Sequence, residues 1–451
     1  MQKVKIQKPL LDEALADLHR PHPFAAERVG FFSTKCSSAE NTTLVHIVAY
    51  HSVPDEQYLR DPSVGVRIGP AAITDAMART AVHKVGQVHV HSHGGVGVPS
   101  PSGVDSAELP PLSRSLHNVD HGQASGWAVL SGNTGWSSIA LPGNSEVETE
   151  SAISVVGYPM TIVPPIAGRR RRRWSWRRLF GKWNTSVHRF DRQSFLGPDS
   201  DMIFASLRVG IVGLGGGGSH MAQQLAHLGI KNFVLCDYDI ISETNLNRTV
   251  SATQADVRRK KLKTAIVERT IRALHDNPDV VTIERWETGE EQLMRCDIVV
   301  GCVDTFGGRR DLEAFCRRHL IPYVDVGMDV QQLGEQDYEI IGQLILSMPG
   351  KACMHCMNFL TDEVLAEEAR RYGAAGGRPQ VVWSNGVLCS AAVGIIADLA
   401  TGWSRIGRDS ICLNFRGSNL SLSDDPRLRY LLGPCPHYPL SEAGDPNWAP
   451  L

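Results

Sequence analysis

Apolar residues recur in short blocks along the chain, and their period changes from block to block. In "LLDEALADLHR" (residues 10–20) they return at helical spacing. "RVGFFST", "TLVHIVAY" and "QVHVHSH" are rich in β-branched and aromatic residues and predict strands, and "PAAITDAMARTAVHK" between the last two predicts a helix. The opening 160 residues therefore predict a mixed α/β domain. Further on, the elements alternate regularly. "LRVGIVG" reads as a buried strand, "SHMAQQLAHLG" as a helix and "NFVLCDYD" as a second strand, which together make a βαβ unit. Strands at "DIVVGCVD" and "PYVDVGM" alternate with helices such as "RRDLEAFCRRHL", and a mostly parallel, doubly wound sheet is the economical arrangement.

The pattern breaks at "RRRRRWSWRR", Arg169 to Arg178. That break divides the chain into a domain at 1–160, an arginine-rich linker at 161–186, a second domain at 187–425 and a tail at 426–451. The run reads either as a solvated connector or as an electrostatic dock for an acidic partner, with Trp174 and Trp176 as anchors. "RRYGAAGGRP" has the glycine content of a mobile loop. Composition changes little, since 42% hydrophobic and 21% charged residues are ordinary and a formal charge of −2 gives no overall attraction to nucleic acid. No apolar run approaches the roughly 18–20 residues of a membrane span, and "MQKVKIQKPL" lacks a signal core. The expectation is a cytoplasmic chain, away from membranes, whose ten cysteines are reduced or metal-bound.

Gly213, Gly215 and Gly218 fit G-x-G-x-x-G between the strand and helix of the βαβ unit. Glycines there let backbone N–H groups meet a phosphate, and Asp237 after the second strand is placed to hold a ribose hydroxyl. Alone, this favours a dinucleotide oxidoreductase. The residues that follow shift the balance. "DYDIISETNLNR" brings Asp239, Asn245, Asn247 and Arg248, and "RRKKLK" brings Lys260, Lys261 and Lys263. Such cations suit an ATP site that expels pyrophosphate, because charge grows on the leaving group, and Asp304 in "GCVDT" is a natural magnesium ligand.

Taken with "RFDRQSFLG" and "NGVLCSAAVGIIADLATG", these pieces make residues 187–425 resemble the adenylation domain of the ubiquitin-activating, MoeB/ThiF superfamily. The resemblance implies a Rossmann-like fold in which Asp237 binds ribose, Asn245, Arg248 and Lys261 (or Lys260, one residue away) contact ATP, and Asp304 binds magnesium. It further implies that Arg192 reaches the phosphates from the other subunit of a homodimer. Thr249 and Thr305 depart from the glutamine and asparagine usual in the family, without removing a charge. Cys353 and Cys356 match a structural zinc pair there, and Cys435 with His437 in "PCPHY" could complete a mixed site; the alternative is two buried cysteines and a surface histidine. Cys389, at the apparent start of a helix, reads as a thioester nucleophile or as a small core residue, and Cys236 and Cys302 as core.

In the first domain, "HSHGGVGVPSPSGVD" puts His91 and His93 on one side of a strand end, with Asp105 beyond a Gly/Pro loop. Three such ligands leave the fourth tetrahedral position of zinc for water. The order H-x-H, eight residues, then S-x-x-D resembles the JAMM metalloprotease motif of deubiquitinases and their prokaryotic relatives. It implies Ser102 as an oxyanion donor and a glutamate general base before a strand, where Glu27 fits better than Glu40 or Glu56. Gly94 stands where proline is common, the gap is one residue longer than usual, and His89 is a rival ligand. The alternative is a JAMM-like fold kept for docking.

One substrate needs both centres: the carboxyl-terminal tail of a ubiquitin-like protein. The expectation is a bifunctional enzyme of a bacterial modification system, with zinc-dependent cleavage at the modifier's C-terminus and Mg-ATP-dependent adenylation of its carboxylate. A conjugating enzyme is an expected partner, and antiviral defence an expected setting by analogy. Activation of a sulfur-carrier protein for thiocarboxylate formation, and an idle scaffold, stay open beside it.

Overall fold

The computed structural model describes residues 2–39, 42–61, 65–162, 189–370, 379–431, 435–439, 442 and 444–445. The arginine run with Trp174 and Trp176, most of the 161–186 linker, Glu40 and residues 371–378 of the glycine-rich loop lie outside the described residues.

Seven strands close a barrel. They are β1 (Gln2–Gln7), β2 (Val29–Ala39), β3 (Thr42–Ser52), β4 (Gly86–Ser92), β5 (Ser125–Leu130), β6 (Gly135–Leu141) and β7 (Asn144–Val156). Their order is β1-β3-β2-β4-β5-β6-β7, and β7 returns to β1. Closure removes the free edges that an open sheet would expose. Helix α1 (Lys8–Leu18) buries Leu11, Ala14, Leu15 and Leu18, a stripe at helical spacing, in one cluster with Val4, Ile6 and Phe32. Helices α2 (Pro70–His83) and α3 (Gly103–His117) complete this body. The sequence pattern predicted three of the strands. It missed β1, where Lys3 and Lys5 interrupt the apolar positions, and β5 to β7, whose glycines and serines weaken the β signal.

The second body contains β8 (Arg208–Val212), α4 (Gly216–Leu228), β9 (Asn232–Cys236), α5 (Lys263–Leu274), β10 (Asp279–Ile283) and β11 (Ile298–Gly301). Then come α6 (Phe306–Arg318), β12 (Tyr323–Gln332), β13 (Tyr338–Ser347), α7 (Val382–Thr401), β14 (Ile411–Arg416) and β15 (Ser421–Asp424). The sheet runs β10-β9-β8-β11-β12-β13-β14-β15, parallel as far as β12 and antiparallel beyond it. The expected mostly parallel sheet holds from β8 to β12, and the correction is the antiparallel edge of β13 to β15 beyond them. A short turn between Gln332 and Tyr338 returns the chain at once, without the crossover that a parallel neighbour requires. A second correction concerns α7, whose 20 residues are apolar enough to cross a membrane, contrary to the expectation that no run comes close. It is a core helix here: Leu388, Cys389, Ala392 and Ile396 share a cluster with Leu225 and Leu344.

The two bodies share their cores. Val156 and Met160 join the cluster of Leu207, Ile230 and Leu399, while Leu44 of β3 joins that of Cys316, Ile321 and Tyr323. Met160 donates its N–H to the Leu399 carbonyl at 2.8 Å. Lys3 pairs with Asp297 at 3.0 Å, and the buried Lys5 donates to the carbonyls of His319 at 3.1 Å and Leu320 at 3.4 Å. Burial, with Lys5 and Arg318 nearby, lowers the His319 pKa from 6.5 to about 3. Between those values the folded ring stays neutral while the unfolded one takes a proton, so this contribution to stability is full above 6.5 and falls away toward 3. Urea midpoints measured near neutrality and at about pH 4.5 should therefore drop less in His319→Gln than in the parent chain. Equal drops would remove His319 from the account of acid sensitivity.

Candidate active sites

Strand order reverses between β8 and β11, so a crevice opens outside the carboxyl ends of the central strands. A cavity of about 350 Å³ lies there. Gly213 (φ +87°) turns the chain where a Cβ would stand 2.4 Å from the Cys302 carbonyl, and a Cβ on Gly218 would meet the Gly213 carbonyl at 1.8 Å. Only glycine lets α4 press onto β8 so closely. A Cβ on Gly215, by contrast, would meet nothing within 4 Å, which leaves the backbone open to the cavity. Asp237 ties the loop down, accepting N–H groups from Leu214 at 2.6 Å and Asp239 at 2.8 Å. Burial raises its pKa, with Lys263 opposing.

Arg248, Asp239 and Asp304 line the cavity, as do Gly213 and Asp237. Two expected ATP contacts are absent from the cavity lining. Asn245 turns inward: its Oδ1 accepts the Ser242 N–H at 3.0 Å and hydroxyl at 2.9 Å, capping the turn Glu243–Asn245. Lys261 does not line the cavity; Lys263 does, with its Nζ 2.6 Å from Asp239 and 4.0 Å from Asp237. The reason is local. Leu262 bridges to Ile240 and α5 begins at Lys263, which delivers that lysine over the two carboxylates. Arg192 is exposed in the turn Asp191–Leu196 and does not line its own chain's cavity. Thr305 accepts the Gly308 N–H at 3.2 Å and caps α6.

Asn385 and Arg309 are among the lining residues that the sequence did not reveal. Asn385 of α7 is buried, and its Nδ2 lies 2.6 Å from where a Gly216 Cβ would be; an amide in an otherwise apolar helix was the available signal. Arg309 of α6 pairs with Asp325, which also accepts the Tyr323 hydroxyl at 3.0 Å. No spacing announces that pair. Asp325 lies on a different element, and its pKa is raised by burial despite Arg309.

In the barrel, His91 is the next-to-last residue of β4, His93 follows the strand, and Asp105 stands in the first turn of α3. The Nε2 atoms of the histidines are 3.2 Å apart, and Asp105 oxygens lie 3.3 Å from His91 and 3.5 Å from His93. Ligands about 2.0–2.1 Å from a tetrahedral zinc are separated by about 3.4 Å, so the donor set fits that ion. Ser102 and Asp105 form a reciprocal capping box, with Ser102 N–H to Asp105 Oδ2 at 2.7 Å and Asp105 N–H to Ser102 Oγ at 3.1 Å. The helix cap thus aims the carboxylate. His93 Nδ1 faces the Ser100 carbonyl at 3.2 Å, which leaves Nε2 for an ion. Burial, opposed by Asp105, lowers the His91 pKa and favours the neutral ring that ligates. Although burial works against it, the Ser102 bonds and the histidines keep Asp105 below the usual carboxylate range.

Glu27 precedes β2, whose Val29 pairs with His91, and its charge acts on the His91 ring. Glu56 lies in the separate turn Asp55–Gln57. His89 packs edge-on against Phe31 and is not part of the ligand cluster.

Residues 191–404 match the ThiF family model. This part of the chain is a ThiF-type domain. The chain is 30% identical over 170 residues to ubiquitin-like modifier-activating enzyme 5 of Dictyostelium discoideum, covering 34% of this chain and 42% of that protein. It is 30% identical over 182 residues to the SAMP-activating enzyme E1 of Haloferax volcanii, covering 38% and 62%. Sulfur carrier protein ThiS adenylyltransferase of Escherichia coli is 29% identical over 134 residues, covering 28% and 53%. Each match spans less than two thirds of the relative's own length. The ThiF match begins at residue 191 and takes in none of the barrel.

Cys353 and Cys356 of the ThiF-type domain meet Cys435 and His437, which lie beyond the matched residues. Cys353, Cys356, Cys435 and His437 bring four ligand atoms within 4.8 Å of one another. Cys356 Sγ lies 3.6 Å from Cys353 and 3.5 Å from Cys435, and His437 Nδ1 lies 3.4 Å from Cys356. Zinc–sulfur bonds of about 2.3 Å imply separations of about 3.8 Å between sulfurs and slightly less to nitrogen, so this set fits zinc too. Cys389 is corrected: it sits inside α7, not at its start, is fully buried, and its thiol is pushed up to about 12 by that burial. It is a core residue of the ThiF-type domain, unsuited to nucleophilic attack. Metal analysis checks both sets independently. His91→Ala and Cys356→Ser should each lower zinc content by one equivalent, and unchanged content would empty the corresponding site of its role.

Proposed function

We propose that the chain is a bifunctional enzyme acting on the C-terminal tail of a ubiquitin-like protein, adenylating it in the ThiF-type domain and cleaving it in a JAMM-type barrel. The observation that carries the reading is the convergence of His91, His93 and Asp105 at zinc-ligand separations on a body fused to that domain.

For adenylation, the glycine-loop N–H groups and the α4 N-terminus hold the phosphates, and Asp237 the ribose. A carboxylate oxygen of the tail bonds to the α-phosphorus while the bond to pyrophosphate breaks. Arg248 and Lys263 offset the charge that grows on the leaving group. Asp304 would hold magnesium, which supplies further neutralisation of the phosphates. Arg192, exposed and absent from the lining of its own cavity, would serve a second copy in a homodimer.

For cleavage, His91, His93 and Asp105 would hold zinc, which supplies activation of water at neutral pH. Glu27 takes the proton from the attacking water and passes it to the departing amine, and the Ser102 hydroxyl donates to the oxyanion. The substrates are modifier precursors or conjugates, and a conjugating enzyme would receive the activated tail. With Cys389 buried, transfer to a thiol falls to that partner. The name of the Escherichia coli relative favours a second substrate class, a sulfur-carrier protein, acted on by the same chemistry.

Pyrophosphate exchange dependent on a glycine-ending modifier tests the first activity. Asp304→Asn and Lys263→Ala should lower it at least about 100-fold and about tenfold, the latter as the loss of one charge-assisted contact, while Lys261→Ala leaves it within about twofold. Exchange that follows Lys261 would overturn the assignment. Mass measurement of a modifier with a C-terminal extension tests the second. The tail should be lost with the parent chain and kept with Glu27→Gln at intact metal content; cleavage by Glu27→Gln would exclude it as the base.

A further inference from the structure

The chain segment that supplies Cys435 and His437 does not end at the cysteine set. Tyr438 is buried, with the Arg317 guanidinium 5.2 Å from its ring centre. Two turns follow, Glu442 N–H to the Pro439 carbonyl and Asp445 N–H to the Glu442 carbonyl, each 3.0 Å. Gly444 then wedges between the bodies, where an added Cβ would stand 3.2 Å from His46 Cβ of the barrel and 3.2 Å from Leu320 Cγ of the ThiF-type domain. Asp445 pairs with Lys35 of β2. One segment therefore joins the cysteine set to two barrel strands.

Beside it lies a cluster of buried polar groups in the seam. Lys5 is 2% exposed and reaches the His319 and Leu320 carbonyls. Ser37 bridges His46 and His319, at 3.0 Å and 3.3 Å. These groups tolerate burial only while the bodies stay together, since each would otherwise return to water. Among the described residues, 435–445 contain no helix or strand. Where a segment has few anchors, a cross-link near its root removes much of its freedom.

We propose that the Cys353–Cys356–Cys435–His437 set is an interdomain latch: by fixing Cys435 and His437 to the ThiF-type domain, it seats Tyr438, Gly444 and Asp445 over the seam and keeps the barrel docked. The latch rests on the zinc reading of those four residues. It makes metal occupancy at one end of the ThiF-type domain a condition for holding the two active sites in fixed relation.

The test is amine acylation of the full chain with an activated acetyl ester, read by peptide mass spectrometry. Lys5 reports the seam, and the exposed Lys84 serves as internal standard. In the parent chain Lys5 should be protected. Cys435→Ser should lose zinc from this set and label Lys5 at least about tenfold faster, whereas His91→Ala should lose the barrel zinc and leave Lys5 protected. Asp445→Lys repels Lys35 and keeps all four ligands, so it should expose Lys5 at full metal content; this variant decides the matter if Cys435→Ser fails to fold. Lys5 still protected in Cys435→Ser after metal loss, or in Asp445→Lys, overturns the latch and leaves the site reading standing. Full zinc in Cys435→Ser would overturn both.

Discussion

A helix that ends against another body needs donors for its last carbonyls, and α6 finds them in the barrel. Lys5 of β1 crosses the seam to the carbonyls of His319 and Leu320, just past the end of α6. At its other end, about 20 Å away for 13 residues, α6 begins beside Asp304 and presents Arg309 to the glycine-loop cavity. Its N-terminal amides are met by Glu368, which accepts from Phe306 and Gly307 at 2.9 Å each. Along its flank, Glu313 accepts the Met354 N–H at 2.9 Å and Arg317 donates to the carbonyls of Lys351 and Ala352, both at 2.8 Å. Those bonds shape the loop that carries Cys353. The seam, the cavity and the cysteine set therefore hang on one helix whose polar groups reach several different parts of the chain.

Burial does opposite work at different groups. It holds Asp325 and Glu313 above the usual carboxylate range and leaves each dependent on an arginine, Arg309 or Arg317. Removing an arginine would strand a buried carboxylate, which is costlier than the pair is stabilising. At His91, burial instead favours the neutral ring that an ion needs. At Cys389 it disables a thiol.

The two candidate metal-ligand sets use local structure differently. In the barrel, the same Ser102 and Asp105 that start α3 present a carboxylate to two histidines, so a short stretch of backbone makes most of the site. The cysteine set is assembled over long range, with two ligands on a loop after β13 and two from a segment near the chain's end. A local site survives changes elsewhere in the fold. A long-range one reports on them.

The sequence by itself determined what depends on neighbours in the chain. The βαβ unit, the glycine turn, the stripe of α1 and the H-x-H…S-x-x-D spacing are all set by periodicity, backbone freedom and capping within about fifteen residues. Charges and cysteines whose partners lie far away were less legible. Lys261 and Lys263 are equal as letters, and only the bridge of Leu262 to Ile240 chose between them. The barrel's closure, the buried Lys5, the Arg309–Asp325 pair and the interior place of Cys389 were decided by tertiary structure. In each case the deciding quantity was the cost of taking a polar group or thiol out of water, which is fixed only when the second body and its partners are in place.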